Sequence, residues 1–468
     1  MKESSNGHTS STPEPGRFPS ESWPEERAAA QRRKDEFPYR FPRDPRALGG
    51  KFSVVENARR LLRFFYFERR LAQAIGAWTL AIPEFEVKLE SGRHLFFHAD
   101  AANGLRDRLR EQELGFAAID GFRDAEIDRF IDELLSASDA PELLVGLHQV
   151  AGAALATAYR HHIDDTDPVA DAPTIRLLRR ILLDYEPMLA WAGAAVDAYV
   201  AGGVDEGGLG RWRWHLGRLL ASIGGVTGGD QRCDAPRPLR SDEKSFVRHT
   251  VPERDSRFVT FKHTGEYNVG DGRPRFPDDS YDYARLRFLR TQRDEVDAIE
   301  AFGTFLWDIR FQDFQAEYDL ARITWDETRH TEIGHKALLA AGYEPFELAN
   351  RLTGSTCRGP MEPAYAMAEI NLFGEVGVIK TIGGLIDQAA EKHDDLLVHV
   401  ADFIRADERT HVRKGQHIIR VMTDQGMQDL EQRTRELFTE CLVSLGAVTL
   451  DMDVFTVSRE DIERLVGE

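Results

Sequence analysis

One five-residue signature occurs twice in the chain, as Asp326-Glu327-Thr328-Arg329-His330 and as Asp407-Glu408-Arg409-Thr410-His411. In each copy a Glu and a His stand three residues apart, so on a helix both side chains leave from one face. A carboxylate beside an imidazole makes a poor patch of core but a good half of a metal site. Roughly one Glu-x-x-His arises by chance in a chain of this size and composition. Two copies, each led by an Asp, point instead to two helices brought side by side around a dinuclear centre.

The rest of the chain supplies helices for such a fold. Apolar residues recur at three- and four-residue spacing over 53–80, 84–112, 124–136, 141–163, 171–201 and 208–223. A stretch rich in Gly, Pro, Arg and Asp follows over about 225–280; within it, Arg257 to Lys262 reads as a short strand or an extended strap. Four long helices are then expected, over 283–310, 315–341, 362–391 and 395–423, and an amphipathic helix over 428–445. The division predicted is a disordered leader (1–35), a helical domain (36–225), a linker or strap (226–280), a metal-binding helical domain (281–445) and a C-terminal tail (446–468).

A di-metal carboxylate bundle needs a lone Glu from each of two helices and a Glu-x-x-His from each of the other two. In antiparallel hairpins, ligands at equal depth lie at similar distances from the turn. Glu295 precedes Glu327 by 32 residues (327 − 295) and Glu375 precedes Glu408 by 33 (408 − 375). This matched depth selects Glu295 and Glu375, with Glu300 and Glu369 as the competing choices. Glu332-x-x-His335 lies five residues further along its helix and is rotated by roughly 140°, so it faces elsewhere. His417, six residues after His411, is expected at the surface.

Glu295-Val-Asp-Ala298 with Asp326-Glu-Thr-Arg-His330 resembles the ferritin-like di-iron carboxylate superfamily, in a branch other than the storage ferritins. The resemblance spans about 283–423 and rests on motifs. It implies an all-α chain whose C-terminal half is a ferritin-like four-helix bundle. Its metal ligands would be Glu295, Glu327, His330, Glu375, Glu408 and His411. It also implies that Asp326 orients His411 and Asp407 orients His330 across the bundle. The second copy lacks the Arg directly before the His, a position that is not a ligand.

A faded copy of the pattern is visible in the first half. Glu68 to Gly76 lies over Glu295 to Gly303, keeping the Glu and the Gly eight positions on. Arg93-His94 matches Arg329-His330, with Ser91 in the place of Glu327. Asp184-Tyr185-Glu186-Pro187-Met188 puts Tyr and Met where Glu408 and His411 stand. The N-terminal half is therefore expected to be a second helical bundle, degenerate and free of metal. Glu90, His94 and His98 recur every four residues and are read as a solvated helix face.

Four carboxylates and two imidazoles suit two Fe ions, or Mn paired with Fe, and O2 as co-substrate. The expected activity is that of a di-iron oxygenase or oxidase acting on a small organic molecule by hydroxylation, N-oxygenation or oxidative cleavage. The alternatives are a tRNA-modifying hydroxylase and a non-catalytic iron-handling protein. A net charge of -19 argues against a nucleic-acid partner. No apolar run reaches the roughly 18 residues that a membrane span requires. A small-molecule substrate, an external electron donor and a homodimer are the partners compatible with this reading. Three dispersed cysteines, Cys233, Cys357 and Cys441, are expected as reduced thiols in a cytoplasmic protein.

Overall fold

A computed structural model describes residues 23–42, 44–261, 276–277, 280–446, 457–458 and 460–461. The chain forms two compact units, Met1–Leu48 and Gly49–Glu468. In the first, α1 (Trp23–Glu36) is helical inside the stretch expected to be a disordered leader. Its Ala28-Ala29-Ala30 run, with Glu25 and Glu26 in the first turn and Arg33 and Lys34 in the last, favours an exposed helix. Residues 1–22 of the expected leader lie outside the described residues.

The second unit is mostly helical. Its first half comprises α2 (Val54–Trp78), α3 (Phe85–Glu111), α4 (Phe116–Asp120), α5 (Ala125–Leu135) and α6 (Ala140–Leu144). A π-helical turn, Val145–Gly152, leads into α7 (Ala153–Asp165), followed by α8 (Ala172–Ala201) and α9 (Glu206–Ser222). Side-chain caps fix several starts: Ser53 accepts from Glu56 N–H, Asp124 from Glu126 and Ile127 N–H, and Asp139 from Glu142 N–H. The strap contains α10 (Arg240–Glu243) and β1 (Thr260–Phe261). The second half has α11 (Tyr281–Asp294), α12 (Val296–Asp308) and α13 (Phe314–Ala340), then β2 (Asn350–Arg351) and α14 (Thr353–Arg358). It continues with α15 (Pro363–Ala368), a second π-helical turn (Glu369–Gly374), α16 (Glu375–Glu391), α17 (Asp395–Met422) and α18 (Met427–Ser444). Among the described residues no helix is long and apolar enough to cross a membrane.

Two of the long helices differ from the sequence expectation. The one expected over 283–310 breaks at Glu295, because α11 runs against α13 at Gly334, where any Cβ would collide with the Arg293 backbone. Arg293 is fully buried there and donates to the carbonyls of Leu348 and Ala349, both at 2.9 Å, and of Pro345. The one expected over 362–391 is interrupted by its π-turn. Cysteine usage also departs from expectation: Cys357 on α14 and Cys441 on α18 form a disulfide across a Cα–Cα distance of 5.8 Å. The packing of α18 on α14 brings together two residues that are 84 apart in sequence.

The halves do not pack as separate domains, and Gly49–Glu468 is one unit. α2 packs on α12 and α3 on α13, and a single apolar core runs through both pairs, from Phe64 and Leu105 to Phe302 and Leu320. Where α2 and α12 cross, a Cβ on Gly76 would collide with the Gly303 carbonyl, and one on Gly303 would come within 2.5 Å of Thr79 Cγ2. Gly92 on α3 likewise has no room for a side chain against Thr328 on α13. Across the same seam, fully paired charges are buried: Arg69 Nε and Gln73 Nε2 each donate to Glu317 at 2.9 Å.

The strap is fastened to this core by ion pairs. Arg248 holds Asp308 through two hydrogen bonds of 2.9 and 2.8 Å, and Asp255 accepts from Phe85 N–H at the start of α3. Arg254 and Lys88 both bind the buried Glu300. β1 pairs in parallel with β2, Thr260 opposite Asn350 and Phe261 opposite Arg351. Residues 262–275 of the strap and most of the expected 446–468 tail lie outside the described residues.

Candidate metal centre

Four helices of the second half deliver the six expected ligands to one place. Glu295 stands at the break between α11 and α12, Glu327 and His330 on α13, Glu375 at the start of α16, and Glu408 and His411 on α17. Ligand atoms of Glu327, Glu375, Glu408 and His411 lie within 4.8 Å of one another, as do those of Glu295, His330 and Glu408. His330 Nδ1 is 3.1 Å from Glu295, 3.5 Å from Glu327 and 3.7 Å from Glu408. His411 Nδ1 is 3.1 Å from Glu327, 3.2 Å from Glu408 and 3.7 Å from Glu375. Glu327 and Glu408 therefore each offer one oxygen to either imidazole, while Glu295 serves one side and Glu375 the other.

These short distances are not hydrogen bonds. His330 Nδ1, His411 Nδ1, Glu295 Oε2 and Glu408 Oε2 are all buried without a hydrogen-bond partner. Atoms that approach one another without donor–acceptor alignment converge on a shared point, and that is how ligands of a common cation are arranged. Charge leads to the same conclusion. Four glutamates drawn together, three of them buried and Glu295 nearly so, repel one another and need compensating positive charge. Burial, with Glu327 and Glu375 nearby, pushes Glu295 up to about 8 despite the opposing pull of His330. Burial and Glu375 push Glu408 well above the ordinary carboxylate range. Glu327 goes the other way: burial would raise it, yet His330 and His411 hold it down to about 2. The donor set of carboxylate oxygens and imidazole nitrogens is one that could hold a metal ion.

Behind the imidazoles, Asp407 Oδ2 lies 3.2 Å from His330 Nε2 and Asp326 Oδ2 lies 3.4 Å from His411 Nε2, a crosswise pairing between α13 and α17. Each aspartate fixes which ring nitrogen faces the centre. Arg329 links the two aspartates, donating to Asp326 and, at 2.8 Å, to Asp407. Arg329 is not among the converging side chains; its place in the motif, beside His330, is the signal that it faces the same carboxylates. Replacing Arg329 by Leu is expected to weaken metal binding by about 10- to 100-fold while leaving the helices intact. Chelator-competition titration and far-UV circular dichroism would check this.

The competing choices are engaged elsewhere. Glu300 accepts from Lys88, from Arg254 at 3.1 Å and from Ser355 at 2.7 Å, and Glu369 accepts from Arg358 at 2.6 Å. Glu332 pairs with Arg93 and Lys336, and His335 packs against Phe85 and Phe346. His417, 44% exposed, lies 3.3 Å from Asp313.

At the matching place in the first half, Glu68 is fully buried and accepts from Tyr159 OH, from Tyr185 OH at 2.7 Å and from His98 Nδ1 at 2.6 Å. Tyr185 and Met188 precede Glu408 and His411 by 223 residues (408 − 185, 411 − 188). The same offset sets Gly152, the last residue of the first π-turn, against Glu375, which follows the second. His94 and His98 are buried, against the expectation of a solvated face, because α3 is enclosed by α2, α8 and α13. Comparison with protein-family models, with curated proteins and with solved structures yields no match to this chain.

Proposed function

We propose that the chain is a ferritin-like non-haem di-iron enzyme that uses O2 to oxidise a small organic molecule, by hydroxylation, N-oxygenation or oxidative cleavage. The observation that carries this reading is the two-sided cluster. Glu295 with His330 and Glu375 with His411 face each other, and Glu327 and Glu408 contribute to both sides. When bound, two ferrous ions supply the electrons that reduce O2.

The chain's own residues set the conditions for that chemistry. Asp326 and Asp407 keep each histidine's Nδ1 directed inward, and Arg329 holds both aspartates in place by donating to each. Burial excludes water from five of the six ligands, and Glu295 has 13% of its side chain exposed. The first half is a second copy of the bundle that no longer holds metal. Ser91, Gly152, Tyr185 and Met188 stand where Glu327, Glu375, Glu408 and His411 stand in the working copy, and two tyrosine hydroxyls and His98 satisfy the surviving Glu68. If the reaction is hydroxylation, each turnover draws two further electrons from an external donor.

Anaerobic titration with Fe(II) is expected to load two equivalents per chain, and the loaded protein is expected to consume O2 on mixing. A purified chain with all six ligands intact that retains only trace Fe or Mn would sink this reading.

A further inference from the structure

Glu375 reaches the cluster through a turn with one residue too many. The π-turn Glu369–Gly374 shifts the phase of the helix just before this ligand. A π-turn is rare and must be held by its surroundings, and here it is held from two sides. At its first residue, Glu369 is gripped by Arg358, which also reaches Asp297 at 3.4 Å. Two residues on, Asn371 is 1% exposed and donates its Nδ2 to the carbonyls of His411, at 3.0 Å, and Val412, at 3.4 Å. Those carbonyls belong to the turn of α17 that presents His411. Gly415, one turn further, makes the contact feasible, since any Cβ there would overlap the Asn371 amide.

Asn371 thus ties the segment carrying Glu375 to the segment carrying His411. It makes no comparable contact with Glu295, at the break between α11 and α12, or with His330 on α13. The first half provides a natural comparison. At the 223-residue offset, His148 stands for Asn371 and Ala192 for Gly415, and there the ligand position is occupied by Gly152. The pinning pair and the ligand differ together.

We propose that Asn371 is a positioning residue for one metal position only, fixing Glu375 against His411 through the π-turn while the Glu295–His330 position stands without it. The proposal rests on the di-metal reading above. The test uses the full chain, freed of metal, with Asn371→Leu, which keeps the volume but removes the donor, and Gly415→Ala, which keeps the donor but displaces it. Co(II) is titrated calorimetrically, with circular dichroism as the control for folding. The wild type should bind two equivalents. Both variants should keep one tight equivalent and lose affinity for the second by about 10- to 100-fold. Should the leucine variant not fold, Asn371→Ser, a smaller change, should give the same split. Two equivalents at unchanged affinity in the variants, or an equal weakening of both, would overturn the proposal. A wild type that binds no Co(II) would instead overturn the di-metal reading itself.

Discussion

Replacing Glu408 by Ala is expected to abolish binding of both metal ions, the largest effect of any single substitution in the centre. Among the described residues Glu408 is the one side chain whose oxygens belong to both groups of converging ligand atoms. It also lies within 3.2 Å of His411 and 3.7 Å of His330. Loss of Glu295 or Glu375 should cost mainly the nearer position; loss of Glu408 removes a donor from each. The effect on stability has the opposite sign. In the metal-free chain Glu408 is a buried carboxylate facing Glu375, so the isosteric Glu408→Gln should raise the stability of that form by about 1–3 kcal/mol. Metal analysis, together with urea unfolding of metal-free protein, checks both halves of the expectation. A Glu408→Gln variant less stable than the metal-free wild type would show that the carboxylate's charge stabilises the empty fold, against the reading of Glu408 as a strained metal ligand.

The second large effect is a pH dependence that reverses when metal is added. Without metal, burial pushes Glu295 up to about 8, and burial and Glu375 push Glu408 well above its ordinary range. Burial would lower His330 and His411, but the surrounding carboxylates, Asp407 and Glu295 on one side and Asp326 and Glu327 on the other, hold both well above the ordinary value. All four groups therefore bind protons more tightly folded than unfolded. Their contribution to stability is complete below the unfolded values and is lost as pH rises through the folded ones. For Glu295 that window runs from about 4.5 to about 8. Glu327, held at about 2, contributes in the other direction, but only below its unfolded value. Metal ions replace the same protons, so affinity rises with pH as stability of the empty chain falls. Thermal melts at pH 5.5 and 8.5, with and without Mn(II), should show the metal-free midpoint falling and the metal-induced shift growing. That shift corresponds to about 2.7 kcal/mol at a hundredfold excess over Kd. A metal-free midpoint that stays level or rises across the window would contradict the assignment.

The convergence of these six side chains was legible because it depends on local periodicity and on counting from turns. The count from Glu375 to Glu408 crosses only α16, a turn and α17, with no irregular helix between them, so matched depth was a sound guide. A count from Glu369 would have crossed the π-turn, whose cause lies in partners distant in sequence: Arg358 on one side and the α17 carbonyls on the other. The break at Glu295 was hidden for the same reason, since it depends on Gly334 and on a buried Arg293 whose acceptors come from the segment before β2. Neither the Cys357–Cys441 bond nor the partners of Glu300 leave a local pattern. The eroded match between Glu68–Gly76 and Glu295–Gly303 could be read along the chain, but that the two glycines touch each other could not.

That contact bears on how the protein can be divided. The strap over 225–280 looks like a natural place to cut, but the seam between the halves is the crossing of α2 and α12 at Gly76 and Gly303, deep in a shared core. A fragment beginning at α11 would carry all six residues of the cluster yet expose the face of α12 and α13 that α2 and α3 now cover, and it would leave Glu317 and Glu300 without Arg69 and Lys88. The first half therefore behaves as a permanently attached part of the fold, supplying the inner wall against which the helices of the second half hold their shape.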